Sequence, residues 1–222
     1  MPKILRRKQN NPRCIIWGAG GHAKVVAEIL RLQRREIVGF LDSLNPRRRG
    51  ERFFGSRILG GAEQLWKLSE DGIKHAIVAF GDNKLRVQAG KILSQNGFTL
   101  IQAIHPNACC ARDAVIGAGT VIAPGAVVGP TSQLGESVIV NTSASLDHDC
   151  QISLGVHLGP GSILAGNVRV HDCAWVGAGA VIIDGREIGA SSVVGAGSVV
   201  IRDVGPDLKV AGVPAAVLQK RL

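Results

Sequence analysis

From Ile116 onward every sixth residue is aliphatic: Ile116, Ile122, Val128, Leu134, Val140, Leu146, Ile152, Leu158, Leu164, Val170, Val176, Ile182, Ile188, Val194 and Val200, fifteen in succession. A six-residue repeat of this length fits a triangular coil with three six-residue sides, where one residue per side points to the axis and must fill it. Eighteen residues then make one coil, and coils stack about 4.8 Å apart, the ordinary strand spacing. Two positions before each aliphatic stand mostly small residues (Ala114, Thr120, Ala126, Ser132, Ala144, Cys150, Ser162, Ala174, Ala180, Ser192, Ser198), as tight inward bends require. Arg186 breaks that register. Gly follows the aliphatic at 117, 129, 135, 159, 177, 189 and 195, which predicts strained turns between the sides at those glycines. Ile104 and Cys110 carry the register backwards to nearly six coils. Residues 105–222 are thus expected to form an all-β parallel β-helix with a C-terminal tail.

Residues 13–104 follow another pattern. Arg13-Cys14-Ile15-Ile16-Trp17 reads as a strand running into Gly18-Ala19-Gly20-Gly21-His22-Ala23-Lys24, with an amphipathic helix near 23–33. Further strands are predicted at 37–41, ending in Asp42, and at 75–80, before Gly81-Asp82-Asn83. Strand, glycine turn and helix predict a Rossmann-like α/β domain whose ligand loops lie at the strand carboxyl ends. Gly18-x-Gly20-x-x-Ala23 with Asp42 satisfies the dinucleotide fingerprint. About ninety residues provide one mononucleotide-sized half, so a nucleotide or nucleotide sugar is the better expectation than NAD. The glycines would let backbone N–H groups approach phosphate at a helix N-terminus, or they only make a tight turn. His22 is either a phosphate or sugar contact or a polar helix start. Arg47, Arg48 and Arg49 are expected on an exposed loop.

Charge divides with the pattern. Residues 1–104 hold 19 Lys and Arg against 8 acids, and residues 105–222 hold 7 against 9, so the net +9 belongs wholly to the front half. That suggests a phosphorylated or polyanionic partner, or a solvated basic face with a tail over residues 1–12 (Lys3, Arg6, Arg7, Lys8). Aromatic residues make up 4% and Tyr is absent, which argues against a nucleic-acid stacking platform. With no long apolar segment and no apolar signal core, the expected protein is cytoplasmic without membrane insertion. Five Cys without CxxC or zinc spacing predict reduced thiols and no metal, with Cys110 and Cys150 as inward core residues.

Polar residues interrupt the repeat at Asn141-Thr142-Ser143, at Asp147-His148-Asp149, at His157 and at His171. A histidine flanked by carboxylates is held in one tautomer with raised basicity, as a general base deprotonating an amine or hydroxyl requires. His148 lies one coil from Gly166 and Asp149 one coil from Asn167, so the Gly166 N–H could face an oxyanion near His148. His157 is half a coil from His148. If both serve one site, a neighbouring subunit must supply one of them.

Together, Ile-Ile-Trp-Gly-Ala-Gly-Gly-His-Ala-Lys (15–24), Gly-Phe-Leu-Asp (39–42), Ala-Phe-Gly-Asp-Asn (79–83), Asn-Thr-Ser-Ala-Ser-Leu-Asp-His-Asp-Cys (141–150), Leu-Ala-Gly-Asn-Val (164–168) and Ala-Gly-Val-Pro-Ala (211–215) carry a resemblance over residues 13–218. The chain resembles the nucleotide-sugar acetyltransferases of the left-handed β-helix superfamily, the group of bacterial 4-amino-sugar N-acetyltransferases and sialic-acid O-acetyltransferases. The resemblance implies a left-handed coil and acetyl transfer from acetyl-CoA to an amine on a UDP- or GDP-linked sugar. His148 matches the family's general base and Asp149 the carboxylate beside it, where some relatives carry a longer Glu. Gly20, Gly21, His22, Asp42, Ser43 and Gly81 match nucleotide-sugar contacts, and Asn141 joins them as a substrate-binding candidate. His157, Ala178 and Ala196 match positions along the acetyl-CoA arm, with Gly166 as a further candidate there. The family is trimeric with sites between subunits, so a homotrimer is implied. O-acetylation of a sugar hydroxyl and an inactive nucleotide-binding scaffold are the alternatives.

Overall fold

A computed structural model describes residues 12–218, so Lys3, Arg6, Arg7 and Lys8 lie outside the described residues. The chain starts with β1 (Arg13–Trp17), α1 (Gly21–Leu32) and β2 (Glu36–Leu41), followed by a hairpin of β3 (Arg52–Phe53) and β4 (Ser56–Gly60). It continues through α2 (Leu65–Glu70), β5 (His75–Val78), α3 (Asn83–Gln95) and β6 (Thr99–Leu100). The sheet order is β3-β4-β2-β1-β5-β6, parallel except within the hairpin. Cys14, Ile15, Ile16 and Trp17 are all buried, because a central parallel strand is covered on both faces.

The six-residue repeat forms a three-faced prism of two-residue strands, each face a parallel sheet. The first face runs from Ala103–Ile104 to Lys209–Ala211, the second from Cys109–Cys110 to Val199–Val200, and the third from Val115–Ile116 to Glu187–Ile188. Partners eighteen residues apart, such as Val121 with Ile139 and Ile139 with His157, establish the coil length. Every axial aliphatic from Ile122 to Val200 is at most 3% exposed. Each contributes about 1.5–3 kcal/mol relative to exposure, so this column is the main source of the prism's stability.

One sequence expectation is corrected. The strained backbone is not at the glycines after the aliphatics but two residues further on, where Thr131, Ser137, Asp149, Asn167 and Cys173 have φ between +55° and +59°. The glycines give clearance instead: a Cβ on Gly129 would come within 2.6 Å of the Asp147 carbonyl carbon in the next coil. Arg186, the exception to the small-residue register, lies where the next coil is two residues shorter, with Val204 bridging to Ile188. Its side chain turns outward to Asp203 at 3.6 Å.

On α1, Ala23, Val26, Ala27 and Leu30 form an i, i+3, i+4, i+7 buried stripe. That stripe shares one core with Ala103, Val121 and Ile139 on the first face, so the front domain is seated on the prism. The second face is apolar and uncovered: Val127 (41%) and Ile163 (47%) are exposed, as are Ile183 and Ile201 at its edge. At the far end Lys209–Ala211 pairs antiparallel with Ala216–Val217, while Val199 exchanges hydrogen bonds with Gly212 and Ala215. Among the described residues, no helix is long and apolar enough to cross a membrane.

Candidate active site

His148 and Asp149 occupy the corner between the second and third faces. The left-handed turn at Asp149 (φ +59°) swings its short carboxylate back onto the preceding ring, so Asp149 Oδ2 accepts from His148 Nδ1 at 2.7 Å. Asp149 Oδ1 accepts from the Thr131 hydroxyl one coil below. These bonds, that of Thr131 first, hold the Asp149 carboxyl below its ordinary pKa. The Asp149 hydrogen bond and the nearby charges of Asp147, Asp149 and Asp184 push the His148 pKa up. With Nδ1 donating to a carboxylate, Nε2 is the basic nitrogen. The ring is 57% exposed and lies across Gly166, where an added Cβ would fall 2.6 Å from Nε2. Among the described residues the Gly166 N–H bonds to no acceptor.

His157 is in a different environment, on the first face beside the front domain. Asn141 Nδ2 donates to its Nε2 at 3.1 Å, and its ring stacks on Trp175 with centroids 5.9 Å apart. Burial and then the Arg86 charge push its pKa down to about 4, with the Gly81 backbone acting in the opposite direction. His22 is pushed down to about 3 by burial, His157 and Arg86. Its Nε2 is buried and unpartnered among the described residues, which leaves a polar atom for a ligand to satisfy.

A cavity of about 610 Å³ lies at the carboxyl ends of β1, β2 and β5. Gly20, Gly21, His22, Asp42, Ser43 and Gly81 all line it, so the structure brings these sequence candidates together. Asp42 Oδ1 accepts from the Leu44 and Asn45 N–H groups, and Ser43 Oγ accepts from Trp17 Nε1 and the Ala62 N–H. Arg48 corrects the exposed-loop expectation. The turn at Pro46–Arg48 aims it at Asp42 Oδ2 and the Ala19 carbonyl, both 3.0 Å away, across the cavity wall. Arg47 and Arg49 are exposed, as the sequence predicts. A second hollow of about 440 Å³, lined by Gly81, Lys84, His157, Cys173 and Trp175 among others, adjoins the first at Gly81.

The acetyl-CoA candidates are divided within one chain. Ala178 and Ala196 are exposed, one coil apart, on the corner between the first and second faces that also carries Asn141. Gly166 is on the next corner with His148. Arg86, Thr131 and Trp175 were not singled out from the sequence, and neither was α3, although Asp82 caps it by accepting from the Leu85 N–H at 2.8 Å. Among the described residues no cluster of His, Cys, Asp and Glu has the makings of a metal site.

The comparisons agree with this architecture. Residues 13–92 match the family described as the PglD N-terminal domain. PerB from Caulobacter crescentus, solved in complex with CoA and GDP-perosamine, is 39% identical with a TM-score of 0.89, over 93% of this chain and 97% of that one. The chain belongs to the hexapeptide-repeat family of nucleotide-sugar N-acetyltransferases. The acetyltransferase domain of PglB from Neisseria gonorrhoeae, solved with acetyl coenzyme A, is 37% identical with a TM-score of 0.87, over 94% of this chain and all of that one. A GDP-perosamine N-acetyltransferase of Escherichia coli O157:H7 is 28% identical over 176 residues, 77% of each chain. The family's fold is the left-handed β-helix behind an α/β domain, as the sequence predicted.

Proposed function

We propose that the protein transfers the acetyl group of acetyl-CoA to the amine of a nucleotide-linked 4-amino-4,6-dideoxy sugar, with GDP-perosamine the first substrate to test. The supporting observation is the near-complete match to PerB, whose structure carries CoA and GDP-perosamine. Its α/β cavity would take the nucleotide sugar. Phosphate would approach Gly20 and Gly21 at the N-terminus of α1, where backbone N–H groups are open.

His148 acts as the general base. Its Nε2 takes a proton from the sugar amine as the nitrogen attacks the thioester carbonyl carbon, and the Gly166 N–H receives the developing oxyanion. Collapse of the tetrahedral intermediate breaks the C–S bond, and the imidazolium returns the proton to the CoA thiolate. The cysteines are unpaired, which fits a cytoplasmic enzyme.

His22 and Gly81 line the nucleotide cavity and His157 lines the hollow that adjoins it at Gly81, whereas His148 is on a corner away from the front domain. We therefore read the complete site as shared between subunits of a homotrimer, with the exposed apolar second face beside His148 covered by a neighbour. His157, Ala178 and Ala196 would flank the acetyl-CoA arm in that cleft. The decisive experiment measures CoA thiol release with GDP-perosamine and with UDP-linked 4-amino sugars. Release with neither, or with a sialic acid alone, overturns the reading.

A further inference from the structure

Arg86 on α3 is fully buried and, among the described residues, hydrogen-bonds to no carboxylate. Its Nε donates to the Ser137 carbonyl at 2.8 Å and its Nη2 to the Gly155 carbonyl at 2.8 Å. Asn83, held by the same guanidinium at 2.9 Å, donates to the Cys173 carbonyl at 3.0 Å. Ser137, Gly155 and Cys173 are eighteen residues apart, the same corner in three successive coils, at φ +56°, +65° and +56°. Among the described residues their carbonyls accept no coil-to-coil hydrogen bond. The left-handed turn takes these acceptors out of the ladder, and the front domain supplies the missing donors. Meanwhile Nη1 donates to the Phe80 and Gly81 carbonyls at 3.1 and 3.3 Å, in the loop shared by the nucleotide cavity and the hollow beside His157.

We propose that Arg86 is a positioning residue for the transfer, fixing the Gly81 loop of the nucleotide cavity in register with the coil that carries His157. This rests on the reading of that cavity as the nucleotide-sugar site. The guanidinium fork matters because it reaches two coils and the loop together, which an ammonium on a flexible stem does not do. Its charge has a separate effect. The titratable and charged groups facing His157 and Arg86 are His22 from α1, Asp82 and Lys84 at the start of α3, and Cys173 from the prism. Among them the Arg86 cation favours neutral rings at both His157 and His22.

The test compares Arg86→Lys, Arg86→Met and wild type by steady-state kinetics, hydrogen exchange of the Leu85 amide, which donates to Asp82 Oδ1 beside the Gly81 loop, and NMR titration of His157, its resonance assigned with His157→Gln. Arg86→Lys should lower kcat/KM for the nucleotide sugar by about 10²-fold, the cost of a misplaced binding element, and speed Leu85 exchange. It should leave the His157 midpoint at about 4. Arg86→Met should raise that midpoint only part of the way to the ordinary histidine value of about 6.5, because burial, the larger cause, remains. Wild-type kcat/KM and Leu85 exchange in Arg86→Lys would overturn the positioning role, and an unmoved His157 midpoint in folded Arg86→Met would overturn the charge effect. If Arg86→Met does not fold, Arg86→Lys decides. If wild type turns over no nucleotide sugar, the functional reading falls, and the substrate-free Leu85 exchange still decides the role of Arg86.

Discussion

His148 and His157 are nine residues apart on one prism, and their surroundings act on them in opposite senses. His148 is exposed, bonded to one carboxylate and near two more, so its pKa rises. His157 is half-buried against the front domain beside the Arg86 guanidinium, and this burial and charge lower its pKa to about 4. A base must be neutral before it accepts a proton yet basic enough to take one, which suits His148. A ring that stays neutral throughout the working pH range suits a fixed hydrogen-bonding wall, which fits His157. Sequence proximity thus says little about role here, because half a coil moves a side chain to a different face.

The contrast breaks most directly at His148. His148→Ala should lower kcat by about 10²–10⁴ while both substrates still bind, and near-native turnover would remove it as the base. Mixing comes next. If each site takes His148 from one chain and His157 from another, His148→Ala and His157→Ala proteins, each severely impaired alone, should regain activity on joint refolding, with about a quarter of interfaces intact. A monomer by light scattering, or a trimer without recovery, would put both histidines in one chain or in separate roles. Gly166→Ala should cost about tenfold in kcat, because its Cβ would enter the His148 ring position, and KM for the nucleotide sugar should hold. The smallest effect is on pH. Since a raised pKa protonates His148 at higher pH, the acid limb of kcat should lie above the ordinary histidine value. Asp149→Asn removes the largest cause, so that limb should move to lower pH. His157 adds no limb near neutrality.

Most of this was legible where the sequence is periodic. The axial aliphatics, the corner order and the separation of His148 from His157 all follow from counting in sixes and eighteens. The glycine turn of β1 and α1 was equally plain, and its glycines line the cavity with Asp42 as a strand-end residue should. Arg86 was hidden for a physical reason: a lone arginine on a helix reads as a solvated charge, and its partners are backbone carbonyls from two coils, which no side-chain motif encodes. Arg48 was hidden likewise, since three consecutive arginines share a composition and only the turn at Pro46 selects which one faces inward. The reach of Asp149 depended on a backbone angle, not on side-chain length.

The far end of the prism bears on solubility. A stack of parallel strands is a template that another chain can extend, coil upon coil, into a fibre. Here Val204 closes the third face, the segment around Gly212 and Ala215 closes the second, and the reversed strand Ala216–Val217 closes the first. An incoming coil meets a crossing chain and an antiparallel partner instead of an open ladder. Growth stops at a fixed length, and in the trimer we propose association is left to the sides of the prism.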